Sequence, residues 1–184
     1  MSGYPAEYWT NYGGTGNSYL DPTNWEPIFQ RIADTLIERY HPDTALDAGC
    51  ATGYLVEALR RRGVEAFGVD SSEFAIDHTR PGAWEWCSRQ SLVEPLNERY
   101  DLITCIEVLE HIPAEDAQTV IANLCEASDN IIFTSSPSDF VEPTHVNVQP
   151  QTYWTVAFEG QGFARDEAFD GDFIVEWAMR FCRS

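Results

Sequence analysis

The segment Thr44-Ala45-Leu46-Asp47-Ala48-Gly49-Cys50-Ala51-Thr52-Gly53 limits the fold more than any other part of the chain. A short apolar run ending near an acid passes into a glycine-bearing loop, and a helical pattern starts at Tyr54. A second acid closes the next apolar run, Phe67-Gly68-Val69-Asp70-Ser71. Strand, glycine loop, helix and acid-terminated strand make a nucleoside-binding unit. The glycines admit a ligand against the backbone, and the second acid can accept hydrogen bonds from ribose hydroxyls. A dinucleotide fingerprint places three glycines, as G-x-G-x-x-G, ahead of a pyrophosphate. Here the spacing is Asp47-x-Gly49-x-x-x-Gly53, and a carboxylate at the strand end suits a cationic ligand better. A nicotinamide oxidoreductase is therefore disfavoured.

The same alternation continues along the chain. Residues 24–40 carry helical apolar spacing, ended by His41-Pro42. Strands are expected at 44–48, 64–69, 84–87 (Trp84 and Trp86 on one face), 101–106 and 130–135. Helical segments are expected at 54–62 with Gly63 as the stop, 72–78, 113–127 and 150–160. Two last strands, near 164–169 and 174–182, read as a closing hairpin. Repeated βα units predict a parallel sheet with helices on both faces and the ligand at the carboxyl ends of the strands. Residues 1–23, rich in aromatics, glycine, asparagine and proline, read as an arm or lid with little regular structure. The expectation is one domain over 1–184, arm 1–23 and core 24–184.

At 184 residues and 43% hydrophobic, the chain can bury a sizeable core. It shows no apolar run of about 20 residues, the length needed to span a bilayer, and its first residues lack a basic region followed by an apolar one. The expectation is a cytoplasmic protein without a membrane segment. All 11 basic residues are arginine, so lysine-based covalent chemistry is excluded for this chain. The net charge of −19 weighs against nucleic-acid binding, which needs a basic footprint. A salt-rich habitat, a basic partner or simple solubility would each fit that acidity, and the oligomeric state is open. The five cysteines, with no C-x-x-C pair, read as buried reduced thiols.

The loop Asp47-x-Gly49-x-x-x-Gly53 followed by Asp70 resembles motif I of the class I S-adenosylmethionine-dependent methyltransferases, with Ala51 where the family usually has its middle glycine. The resemblance covers about residues 25–182. It implies a Rossmann-like α/β fold: a seven-stranded, mostly parallel sheet with helices on both faces and a C-terminal antiparallel hairpin. It implies S-adenosylmethionine as cofactor. Asp47 would lie near its amino-acid end, Gly49, Cys50, Ala51 and Gly53 would line it, and Asp70 with Ser71 would meet the ribose. The family's adenine-binding acid is missing; Ser91, with Leu92, stands in that region. Tyr8 and Tyr12 of the arm resemble aromatics that fold over the cofactor, where a ring face attracts a sulfonium; packing of the arm onto the sheet is the alternative.

After the fourth strand comes Ile106-Glu107-Val108-Leu109-Glu110-His111-Ile112. Such a segment resembles that of the ubiquinone-type and natural-product methyltransferases, which implies that Ile106 and Glu107 run past the cofactor. Downstream, His145 follows the fifth strand, on the side expected to face His111. A histidine that titrates near neutral pH can remove the acceptor's proton, so His145, His111 and Glu110 are the catalytic candidates. The expected acceptor is an oxygen or nitrogen of a small metabolite. The set Glu107, Glu110, His111 and His145 also resembles the metal-binding pattern of small-RNA 2′-O-methyltransferases, leaving a metal-dependent RNA 2′-O-methyltransferase-like enzyme with a divalent ion as an alternative. A catalytically idle cofactor-binding module is a further one.

Overall fold

The computed structural model describes residues 6–11 and 18–184. Seven strands form one sheet in the order β3-β2-β1-β4-β5-β7-β6. The chain divides into two units, residues 1–91 and 92–184.

In the first unit, α1 (Ala6–Thr10) precedes α2 (Pro22–Tyr40), β1 (Thr44–Ala48), α3 (Tyr54–Arg60), β2 (Glu65–Asp70), α4 (Glu73–Asp77) and β3 (Cys87–Arg89). The Asp21 side chain caps α2 by accepting the Thr23 N–H at 3.0 Å, and Pro22 follows at the first helical position. β1 and β2 pair in parallel with Asp47 opposite Gly68, and β2 pairs with β3 in parallel with Asp70 opposite Arg89. Leu36, Leu46, Leu55 and Leu59 are buried in this unit.

Two expectations are corrected here. The third strand runs over Cys87–Arg89, not 84–87: residues 81–86 form tight turns, leaving Trp84 exposed (68%) and Trp86 partly exposed (38%). Arg60 lies over the Trp86 ring, 3.7 Å from its centroid, so a cation–π contact rather than strand packing holds that indole. The described part of the arm is also more ordered than its composition suggests. α1 buries Trp9, which packs with Tyr19, Tyr54 and Ala75, while Tyr8 and Ala51 lie against that cluster. Tyr12 lies outside the described residues.

The second unit holds β4 (Leu102–Ile106), a 3₁₀ turn (Leu109–His111), α5 (Ala114–Ala127), β5 (Asn130–Thr134), α6 (Gln151–Glu159), β6 (Phe163–Arg165) and β7 (Met179–Arg183). β4 and β5 are parallel, and β7 is antiparallel to both β5 and β6. Phe133, Trp154, Phe158 and Phe181 pack as the aromatic core, which makes Trp154 a core residue. The closing hairpin is present with shorter strands than 164–169 and 174–182; residues 166–178 are turns and irregular backbone ahead of β7. No helix among the described residues is long and apolar enough to cross a membrane. The five cysteines are free thiols, four of them buried.

Candidate functional site

The glycine loop of the first unit is tied down by β2. Gly49 and Cys50 N–H groups both donate to the Val69 carbonyl, at 2.8 and 3.0 Å. The Asp70 carboxylate takes the Ala51 N–H on Oδ2 at 2.9 Å and the Ser72 N–H on Oδ1 at 2.8 Å. The second acid, buried at the strand end, therefore shapes the loop. Burial pushes the Asp70 carboxyl up from the ordinary range, opposed by those two N–H groups.

Two glycines are needed for this geometry. Gly53 has φ +79°, and a Cβ there would stand 3.0 Å from the Cys87 sulfur. At Gly68 a Cβ would stand 2.7 Å from the Cys50 sulfur, so β2 has no room for a side chain beneath the loop. Ala51 also has positive φ, at 49°. An alanine in the left-handed region costs roughly 1–2 kcal/mol, partly offset because glycine would lose about 0.4–1 kcal/mol more entropy on folding. Ala51→Gly is therefore expected to stabilise the protein by about 0.5 kcal/mol, a shift readable in urea unfolding; a loss of 1 kcal/mol or more would show that the Ala51 methyl packing outweighs the strain.

Asp47 is buried at the end of β1, Cys50 is buried, and Ser71 is exposed. Ser91 is half-buried beside Gln90, whose N–H reaches the Asp70 carbonyl at 3.0 Å. The sequence reading missed Thr52. Its hydroxyl is buried in the loop and has no hydrogen-bond partner among the described residues. A ligand with polar atoms seated on this loop would satisfy it, and each Asp70 oxygen keeps a lone pair for a hydroxyl donor. The residues thus fit a nucleoside-bearing cofactor.

In the second unit Leu92 is buried and its carbonyl accepts from the Asn123 side chain at 2.8 Å, a packing role. Ile106 ends β4, and Glu107 follows in the left-handed region with φ 53°. Its N–H is shared between the Thr134 hydroxyl at 2.9 Å and the Thr134 carbonyl at 3.2 Å. That turn passes into the 3₁₀ turn, where Leu109 and Glu110 are fully buried. The Glu110 carbonyl accepts the N–H groups of both Val146 (2.8 Å) and Asn147 (2.9 Å). Those bonds draw the loop after β5 onto the turn and bring His145 to His111, with ring centroids 4.6 Å apart.

Both imidazoles have a defined tautomer. His111 Nδ1 lies 3.2 Å from the Thr144 carbonyl and His145 Nδ1 lies 2.9 Å from the Asp139 carbonyl. A carbonyl only accepts, so each Nδ1 carries hydrogen and each Nε2 carries a lone pair. Burial, then the neighbouring His145, lowers His111 to about 4. Glu110 is pushed up to about 8, first by burial and then by the charge of Glu107. One Glu110 oxygen takes the Ser136 N–H at 3.1 Å, while the buried Oε2 has no hydrogen-bond partner among the described residues. Donor atoms of Glu110, His111 and His145 lie within 4.8 Å of one another.

A family model described as a methyltransferase domain matches residues 17–168. The chain belongs to this methyltransferase-domain family. Among its relatives, the ubiquinone biosynthesis O-methyltransferase of Coxiella burnetii is 39% identical over 127 residues, covering 64% of this chain and 51% of that protein. The enzyme of the same name from Alkalilimnicola ehrlichii is 37% identical over 99 residues, covering 49% of this chain and 40% of that protein. The chain thus spans about half the length of the curated relatives it matches. The magnesium protoporphyrin IX methyltransferase of Synechocystis PCC 6803, crystallised with bound SAH, shares the fold with a TM-score of 0.68 at 21% identity. That superposition covers 86% of this chain and 83% of that one.

Proposed function

We propose that this methyltransferase-family chain transfers a methyl group from S-adenosylmethionine to a hydroxyl of a small molecule. The family match over 17–168 carries the reaction class, and the relatives' names, O-methyltransferases of ubiquinone biosynthesis, favour an oxygen acceptor. When bound, the cofactor supplies an electrophilic methyl on a sulfonium. The loop from Gly49 to Gly53, with Asp47 and Asp70, binds it, and Thr52 gives its buried hydroxyl to the same ligand. Tyr8 closes over it. Ser71, Ser91, Leu92, Ile106 and Glu107 are the remaining contacts the resemblance implies.

Acceptor activation falls to the second unit. The half-buried His145 presents a lone pair at Nε2, and its Nδ1–H is held on the Asp139 carbonyl. A proton leaving the acceptor hydroxyl goes to that nitrogen. His111 stays neutral beside it, because burial disfavours its cation, and Glu110 fixes both the turn and the loop. His145→Ala should lower turnover about 100-fold, within the usual range for loss of a general base, while S-adenosylhomocysteine affinity in calorimetry stays within about twofold. Absence of saturable S-adenosylhomocysteine binding by the unmutated protein would sink the whole reading.

One observation favours a second form of this chemistry. The unpartnered Glu110 oxygen, on a residue whose donor atoms lie within 4.8 Å of those of His111 and His145, belongs to a donor set that suits a first-row divalent ion. Ligands of such an ion lie about 3 Å apart, a modest closing from the present spacing. Glu110, His111 and His145 would hold it, with Glu107 behind them, and it would act as a Lewis acid on the acceptor oxygen. Titration of Mn²⁺ into chelator-treated protein saturated with S-adenosylhomocysteine decides between the two. Saturable binding lost in His145→Ala supports the metal, and turnover unchanged in chelator supports histidine alone.

A further inference from the structure

We propose that Trp177 is a positioning residue for this reaction: its indole N–H sets the Glu107 carboxylate, and through it Glu110 of the acceptor-activating cluster. The inference rests on the functional reading of that cluster. Trp177 Nε1 donates to Glu107 Oε1 at 2.8 Å, a charge-assisted bond reaching across 70 residues of sequence. The Glu107 carboxylate lies near enough to Glu110 for its charge to favour the protonated Glu110 carboxyl.

Sheet topology explains how so distant a residue arrives. Ile106 pairs with Thr134 across β4 and β5, and Phe133 pairs with Met179 across β5 and β7. Three neighbouring strand ends thus deliver Glu107, Thr134 and Trp177 in a row. Because β7 runs antiparallel to β5, its start lies at the carboxyl end of β5. The Trp177 backbone is anchored too. Its carbonyl accepts the Gln151 side chain at 3.0 Å, and the following Ala178 N–H closes a turn onto Val175 at 3.0 Å. Ala178 crowds Gly171, where a Cβ would stand 2.6 Å from the Ala178 Cβ, so the turn has little freedom to shift.

Glu107 needs such a partner. Its left-handed backbone fixes where the side chain leaves, but its flexible stem allows many rotamers. Thr134 holds its N–H, and Trp177 holds its carboxylate. With both in place, Glu107 meets Glu110, whose carbonyl in turn anchors the His145 loop. Nothing in that chain of contacts requires the indole to touch cofactor or acceptor.

Trp177→Phe keeps the ring and removes the donor. The indole resonance missing from the ¹⁵N–¹H spectrum of Trp177→Phe identifies Trp177 in the parent protein. That resonance should move in Glu107→Gln and also in Glu110→Gln; immobility in Glu110→Gln overturns the relay, even if no acceptor is ever turned over. With S-adenosylmethionine and 3,4-dihydroxybenzoate as a hydroxylated probe, Trp177→Phe should lower kcat about 10-fold, the effect of losing one charge-assisted bond. Its probe KM and S-adenosylhomocysteine affinity should stay within about twofold. An unchanged kcat, or loss of cofactor affinity and thermal stability together with kcat, would overturn the positioning role. A parent protein that turns over nothing would refute the functional reading alone, and the resonance shifts would still decide the relay.

Discussion

Asp70→Ala is expected to weaken S-adenosylhomocysteine binding at least tenfold and to lower unfolding stability by about 2–3 kcal/mol, the cost of orphaning buried donors. The two losses have separate causes. The Asp70 carboxylate accepts the N–H groups of Ala51 and Ser72, and neither donor gains a replacement acceptor in the variant. Each buried N–H left unpaired costs about 1–3 kcal/mol. Against this stands relief from burying a charge, which already raises the Asp70 carboxyl. The affinity loss comes from the remaining lone pairs, which a ribose would use, and from slackening of the loop that Asp70 pins. Asp70→Asn separates the contributions. Its Oδ1 restores one acceptor, but its NH₂ confronts the second N–H, so part of the stability returns and the affinity does not. Glu73→Ala, three residues on, should change neither quantity, because its ion pair with Arg89 is exposed on both sides. Calorimetric titration and urea unfolding of the three variants measure both. An Asp70→Ala protein that unfolds like the parent would refute the pinning role.

Much of the fold was legible because βα units advertise themselves locally. The apolar runs at 44–48, 102–106 and 130–134 lie between helical periods with clear stops, so their places and parallel order followed from spacing. The third strand did not, because Trp84 and Trp86 satisfy strand propensity while Pro81 and Gly82 begin a run of turns before Cys87. There an arginine stacked on Trp86 overrides local preference. Of the candidate site, the glycine loop, Asp70 and the approach of His145 to His111 could be read from motif and strand order. Two things could not. Ala51 in the left-handed region is visible only as a departure from the family's glycine, and Trp177 carries no local signal. An indole 70 residues from its carboxylate partner is brought there by the antiparallel register of β7, which periodicity does not encode. Thr52 lies between the two: a hydroxyl inside a glycine loop is visible, but its burial without a partner is not.

Glu110→Gln should flatten the fall in thermal stability that the parent protein shows between pH 6.5 and 8.5. Glu110 has a folded pKa of about 8 against an ordinary value of 4.5, because burial and the Glu107 charge disfavour its anion. The folded state therefore holds a proton that the unfolded chain releases. That contribution is complete below the unfolded value and is lost as pH rises towards 8. His111 has the opposite sign. Lowered to about 4 from 6.5, it contributes stability above 6.5 that is lost as pH falls. The two slopes oppose each other from about 4.5 to 6.5, and above 6.5 only the Glu110 loss remains. Each pH unit there is worth at most about 1.4 kcal/mol, so the parent midpoint should drop by roughly 4–8 °C relative to Glu110→Gln. Glutamine suits the site, since its oxygen can still accept the Ser136 N–H and its NH₂ is uncharged like the protonated acid it replaces. Parallel melting curves from pH 6.5 to 8.5 would show that Glu110 is ionised throughout. Saturating Mn²⁺ should reverse the parent's slope if the metal form is correct, because a carboxylate ligand must give up its proton and rising pH then favours binding. The same addition should leave Glu110→Gln unmoved, so one set of melting curves reads both the buried proton and the metal that would displace it.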